Sequence, residues 1–384
     1  MSNLPVISDQ EFAERAARVR QELATRGIDL LLAFSTESEP AYVRYLSDYW
    51  PAFETAGVLI PSEGEPLLLI GPESRTFAAA RSRIAEIVAL RDFRESSQPA
   101  YPGSRLPEWG DLLAPYPART IAIAGWHLFP HAILEAMKAA APGVTFVDGD
   151  EVMRHLMIRK SPAELACLRE AARISELGLA GVLDAIRPGM TEVQIAGLAT
   201  AAMLSQGAEA TGYPVWCCSG PNSCQAISRP THRKIGTGEV IQLCVGAKVS
   251  GYSASIGRPI VLGKAAPPLR AFLQVGLDAQ NLAIELLQTG AISGEVACRV
   301  HDMIRARGYG DTILYGPAHG CGQMECEYPF LESSSTFVLE AGMTFMVDLF
   351  LSRGGTGFRW EDGVILRNGA PEQLSSLRRE IIEL

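Results

Sequence analysis

The chain reads as a two-domain protein, a smaller α/β domain over residues 1–154 followed by an α+β domain over residues 155–384. Three observations carry that reading. Before residue 150, short apolar runs alternate with amphipathic helical stretches, the pattern of a small α/β layer. At the junction, Ser161-Pro162-Ala163-Glu164 joins an N-cap, a Pro at the first helical position and an acid that closes a capping box, a strong helix start. Beyond it, helical stretches alternate with long apolar runs bounded by Gly-rich turns.

In the first domain, Ser8-Asp9-Gln10-Glu11 opens an amphipathic helix that Gly27 ends. A buried strand is expected over 29–34. The stretches Ala56–Pro61 and 65–70 form a hairpin around Ser62-Glu63-Gly64. Thr120–Ala124 is another strand, followed by a helix at about 130–141. In the second domain, helices are expected at about 162–186, 192–206, 267–288 and 294–307, with Thr191 as a cap and Gly207 and Gly308 as stops. Strands are expected over 240–247 and Tyr252–Val261.

With 384 residues the chain has ample core. Its net charge of −9, with no basic tract, argues against a nucleic-acid partner. No apolar run reaches membrane-spanning length, and Met1-Ser2-Asn3-Leu4-Pro5 does not read as an export signal. All eight Cys follow residue 160 and none forms a Cys-x-x-Cys pair. The expectation is a cytoplasmic protein with reduced thiols and a small-molecule substrate.

The chemistry concentrates in two stretches, 219–259 and 316–362. The first holds Ser219-Gly220-Pro221-Asn222, Arg229-Pro230-Thr231, Gly236-Thr237-Gly238-Glu239 and the strand around Cys244 and Ser255. The second holds His319-Gly320-Cys321-Gly322, Cys326-Glu327-Tyr328-Pro329, the run Glu340–Asp348 and Arg359-Trp360-Glu361-Asp362.

In order and spacing these motifs resemble the pita-bread family of methionine aminopeptidase, Xaa-Pro aminopeptidase, prolidase and creatinase. The resemblance implies a C-terminal pita-bread domain behind a creatinase/prolidase-type N-terminal domain, and a homodimer. It also implies that the aromatic loop 47–55, with Tyr49, Trp50 and Phe53, reaches a partner's site. By the same resemblance the metal-ligand positions fall on Cys244, Ser255, His319, Asp348 and Glu361, so that Cys and Ser stand where the family has Asp. The two auxiliary His positions fall on Ile227 and Cys326. Creatinase supplies the family's metal-free case, although its catalytic His and a further Glu fall on Ile227 and Gly257 here.

Two divalent ions bring four positive charges, and a Ser hydroxyl cannot bridge them as a carboxylate does. No metal or other cofactor is therefore expected, the alternative being one zinc or manganese ion on His319, Asp348, Glu361 and Cys244. The catalytic candidates are His319 as base or orienting group, Asp348 and Glu361 as a carboxylate pair, and Arg359 as the donor that orients a carboxylate. Cys244, Ser255, Cys326, Glu327 and His232 are further candidates, Cys326 as a nucleophile paired with His319.

The leading expectation is a creatinase-like hydrolase of a C–N bond in a small nitrogen-containing molecule, metal-independent or singly metallated. One alternative is an Xaa-Pro dipeptidase or aminopeptidase P-type metallopeptidase, against which the substitutions speak. The other is a pseudoenzyme or binding module on the same fold.

Overall fold

The computed structural model describes residues 4–384. Residues 1–3, which open the stretch read above for an export signal, lie outside the described residues. The chain divides into two compact units, 7–157 and 158–384, the latter joined by residues 4–6.

The first unit is built on a six-stranded sheet with both faces covered. Its strands run in the order Glu86–Ala89, Leu67–Ile70, Ala56–Pro61, Leu30–Ser35, Thr120–Ala124, Thr145–Asp148. The central Leu30 strand pairs antiparallel with Ala56–Pro61 and parallel with Thr120–Ala124. Its residues alternate between two cores. Leu31 and Ala33 join Val19, Leu23 and Met153, whereas Leu30, Leu32 and Phe34 join Ile133 and Met137. Period-two alternation feeds both layers, which is why the run is apolar throughout. The helix Asp9–Arg26 starts on Ser8, whose hydroxyl accepts from the Glu11 amide, and stops at Gly27 in the left-handed region.

The aromatic loop is more integrated than its composition indicates. Tyr49 is buried and packs on Phe77, while Phe53 remains 84% exposed. A short helix, Ala41–Ser47, precedes it.

The second unit repeats one motif. Two helices, Pro162–Ala185 and Glu192–Ser205, precede the hairpin Val240–Val249/Tyr252–Val261. Two more, Pro267–Leu286 and Ser293–Ala306, precede the hairpin Thr344–Arg353/Thr356–Ile365. Capping boxes at Ser161 and Thr191 are complete. The hairpins join edge to edge through the Tyr252 and Thr356 strands, at the centre of a ten-stranded sheet. Phe345, Val347, Leu349, Leu351, Phe358 and Trp360 pack with Leu273, Val275 and Ala279 of a helix. Alternation therefore turns Asp348, Arg359 and Glu361 to the opposite face. No helix among the described residues is long and apolar enough to cross a membrane.

Candidate metal centre

Register builds the site across four strands. Asp348 stands opposite Glu361, Glu361 opposite Gly257, and Gly257 opposite Cys244. A Cβ at Gly257 would lie 2.8 Å from the Glu361 Cβ and 3.0 Å from the Cys244 Sγ. Glycine there leaves room for Glu361.

His319 arrives on the short strand Ala318–Gly320, between Glu327–Leu331 and Thr344–Arg353. A Cβ on Gly320 would stand 2.7 Å from the Tyr328 carbonyl oxygen, so the His-Gly pair lets the strands close up. The His319 Nδ1–H donates to the Gly320 carbonyl at 3.0 Å, which makes Nε2 the nitrogen available to an ion once its proton is displaced. The ligand atoms of His319, Asp348 and Glu361 all lie within 4.8 Å of one another.

Asp348 is oriented from behind. Its Oδ2 accepts from the Tyr315 hydroxyl at 2.9 Å and is ion-paired with Arg359. The other arm of the Arg359 fork donates to the Ala226 carbonyl at 2.7 Å, and the guanidinium lies over Trp216. Oδ1 of Asp348 is buried and has no hydrogen-bond partner among the described residues.

A third acid lies beside the cluster, and sequence reasoning missed it. Glu325 sits on the turn between His319 and Cys326, and its Oε1 accepts from the Ser255 hydroxyl at 2.9 Å. Its carboxyl acts on the neighbouring Glu361, and like Cys244 it stands outside the group within 4.8 Å. Burial, the Glu325 charge and the Asp348 charge push the Glu361 carboxyl well up, against the pull of Arg359. Burial raises Glu325 as well. The signal available in the sequence was an acid two residues before Glu327, in a turn that must fold back over the sheet.

The other candidates divide. Cys326 is exposed and lies beside His319. Burial alone would lower His319, but Cys326, Asp348 and Glu361 together push it up to about 9. Glu327 ties the turn down: Oε1 accepts from Lys160 at 2.7 Å and Oε2 from the Met324 amide at 3.2 Å. Cys244 stays outside the 4.8 Å group, and burial pushes its thiol well up. Ser255 contributes its hydroxyl to Glu325. His232 is exposed, away from the buried cluster, on a segment whose neighbours Thr231 and Arg233 are tied to Glu192 and Glu239.

This donor set fits a divalent ion. One imidazole and carboxylate oxygens suit zinc or manganese, and an orphaned buried carboxylate oxygen such as Asp348 Oδ1 is costly unless something binds it.

The comparisons agree. A family model described as metallopeptidase family M24 matches residues 166–368, and the creatinase/prolidase N-terminal domain matches residues 15–156. An Xaa-Pro dipeptidase of Pyrococcus furiosus is 25% identical over 265 residues, covering 68% of this chain and 75% of the relative. Creatinase of a Bacillus species (strain B-0618) is 22% identical over 97% of this chain and 92% of its own length. The solved structure of the X-Pro aminopeptidase from Thermotoga maritima superposes with a TM-score of 0.84 at 23% identity, covering 96% of this chain and 99% of that one. The expectation of a site without metal or other cofactor is therefore corrected. It counted carboxylates only at five familiar positions, whereas the matched family is one of metallopeptidases and the fold brings His319, Asp348 and Glu361 within ligating reach. The M24 match spans more than half of the chain, which thus belongs to the metallopeptidase family M24, as a two-domain hydrolase.

Proposed function

We propose that this chain is a metal-dependent hydrolase of a peptide-like C–N bond in small substrates, with Xaa-Pro dipeptides as the leading class. The observation that carries the reading is the convergence of His319, Asp348 and Glu361 around a buried, unpartnered carboxylate oxygen. The names of the relatives, mostly Xaa-Pro dipeptidases, support the substrate class.

A divalent ion held by His319, Asp348 and Glu361 would polarise the scissile carbonyl and acidify an attacking water. The chain's own groups supply the rest. Arg359 and Tyr315 hold Asp348 through Oδ2, so that Oδ1 keeps one direction. Burial pushes both the Glu361 and the Glu325 carboxyl up, which suits the pair to take a proton from water and return it to the leaving amine. That role matters here because Ile227 and Cys326 occupy the two auxiliary His positions.

Those two replacements also favour a second reading, hydrolysis of a C–N bond in another small nitrogen-containing molecule. The creatinase relative supports it. Metal-depleted protein, reloaded with manganese or zinc, should be assayed on Xaa-Pro dipeptides and on creatine. Release of free proline only from the reloaded protein is expected. Turnover that survives verified depletion would overturn the metal-dependent reading, and turnover confined to creatine would select the second.

A further inference from the structure

Strand position 255 carries Ser, yet a carboxylate still occupies the space in front of it. We propose that Glu325 is a metal ligand of this centre, delivered by the 321–326 turn to the place that a side chain at 255 would otherwise fill. The inference rests on the metal-dependent reading above and adds to it a ligand that lies outside the five familiar positions.

The turn is built to hold Glu325 in place. The Ser253 amide donates to the Gly322 carbonyl at 2.8 Å, which pins the start of the turn to the Tyr252–Val261 strand. Two residues further along that strand, on the same face, Ser255 holds the Glu325 carboxylate. Within the turn the Gly322 amide donates to the Met324 carbonyl at 2.8 Å. The turn's far end is stapled by Glu327, which takes the Met324 amide and the Lys160 ammonium. The Lys160 side chain is 1% exposed and that of Glu327 11%, so this ion pair is shielded and rigid. A Cβ on Gly322 would stand 2.4 Å from Glu327 Oε1 and 2.8 Å from Lys160 Cε, so the staple closes directly over that glycine.

The destination is equally specific. Glu325 meets Glu361, which shares its other surroundings with His319 and Asp348. Buried carboxylates brought together repel unless a proton or a cation lies between them. The independent pointer to a cation is Asp348 Oδ1, buried and unpartnered in a side chain only 4% exposed. A loop acid packed against one ligand of a three-residue cluster, on the side opened by Ser255, restores a carboxylate that the strands have lost. Its oxygen chemistry selects manganese or zinc over soft ions.

The test is metal binding rather than activity. Wild-type protein, Glu325→Gln, and Glu325→Gln combined with Ser255→Asp are each stripped and titrated with manganese and zinc by calorimetry, with stoichiometry from elemental analysis. Glu325→Gln should weaken binding about 100-fold or remove one equivalent, at or beyond the upper end of the loss seen when a ligand's outer partner is removed. Ser255→Asp in that background should recover most of it, because a carboxylate returns to the same place. The stripped Glu325→Gln protein should melt no lower than stripped wild type, since the amide oxygen can still accept from Ser255 and no charge is left to bury. A Glu325 with a purely structural role would lower that melting point and leave affinity unchanged. Unaltered affinity and stoichiometry in a folded Glu325→Gln would overturn the proposal. Wild-type protein that binds no divalent ion would overturn the metal-dependent reading itself.

Discussion

Asp348 and Glu361 face each other across one antiparallel strand pair, and Arg359, two residues from Glu361 on the same strand, neutralises only Asp348. That asymmetry organises the site. Asp348 is ion-paired with the buried fork, while burial, Glu325 and Asp348 push the Glu361 carboxyl well up. Two acids at one centre thus differ in the work they can do.

Removing the fork should expose the dependence. Arg359→Met leaves Asp348 as an uncompensated buried charge, and breaking such pairs costs about 3–5 kcal/mol. Urea unfolding of the stripped protein should register that loss. Added metal should recover part of it, because a cation replaces the missing charge. Arg359→Lys should remain impaired, since an ammonium cannot reach both Asp348 and the Ala226 carbonyl as the fork does. Equal stability of Arg359→Met and wild type would show that Asp348 does not need this partner.

His319→Ala should lower turnover by about two to four orders of magnitude, the range for losing a positioned group of this kind, and should weaken metal binding. Cys326→Ser should keep turnover within a few-fold of wild type if the thiol only neighbours the ring. A loss as deep as that of His319→Ala would make Cys326 the nucleophile.

Metal uptake should depend on pH with a definite sign. His319 is raised from an ordinary 6.5 to about 9, so the stripped site holds a proton that an ion must displace. Affinity should therefore climb with pH up to about 9 and flatten above it. Calorimetry in buffers of different ionisation enthalpy should find a proton released below that plateau. Proton release that is absent at pH 7 would contradict the environment described for His319.

Much of this was legible in the sequence. Two helices of the second unit start at the caps read from the sequence, Ser161 and Thr191, because capping and periodicity are local. The strand runs around Cys244 and Ser255 read directly from apolar length. Several elements of the first unit, Ala41–Ser47, Glu86–Ala89 and Thr145–Asp148 among them, carry no mark in the sequence, being short and weakly patterned. Glu325 was invisible for another reason. A turn residue's direction depends on what pins the turn, and here the pins are Ser253 and Lys160, distant in sequence. Asp348 Oδ1 likewise became a pointer only when burial and hydrogen bonds could be seen.

Gly257 supplies the sharpest steric test, because it separates the shape of the site from its charge. Gly257→Ala adds one methyl group and no ionisable atom. That methyl would meet the Glu361 Cβ at 2.8 Å and the Cys244 Sγ at 3.0 Å, closer than carbon–carbon contacts permit. The strand cannot yield easily, since Gly257 is paired on both sides, with Cys244 and with Glu361. Overpacking of this kind costs about 1–3 kcal/mol, and part of it should appear as displacement of Glu361. Stability should fall by that amount, and metal affinity should fall with it, although no ligand has been changed. Combining Gly257→Ala with Cys244→Ala removes the sulfur and gives the methyl group somewhere to go. The double variant should be more stable than the sum of the single changes, a coupling that unfolding measurements on all four proteins can read. If the effects simply add, Cys244 does not crowd this position, and the packing described between Cys244, Gly257 and Glu361 is wrong.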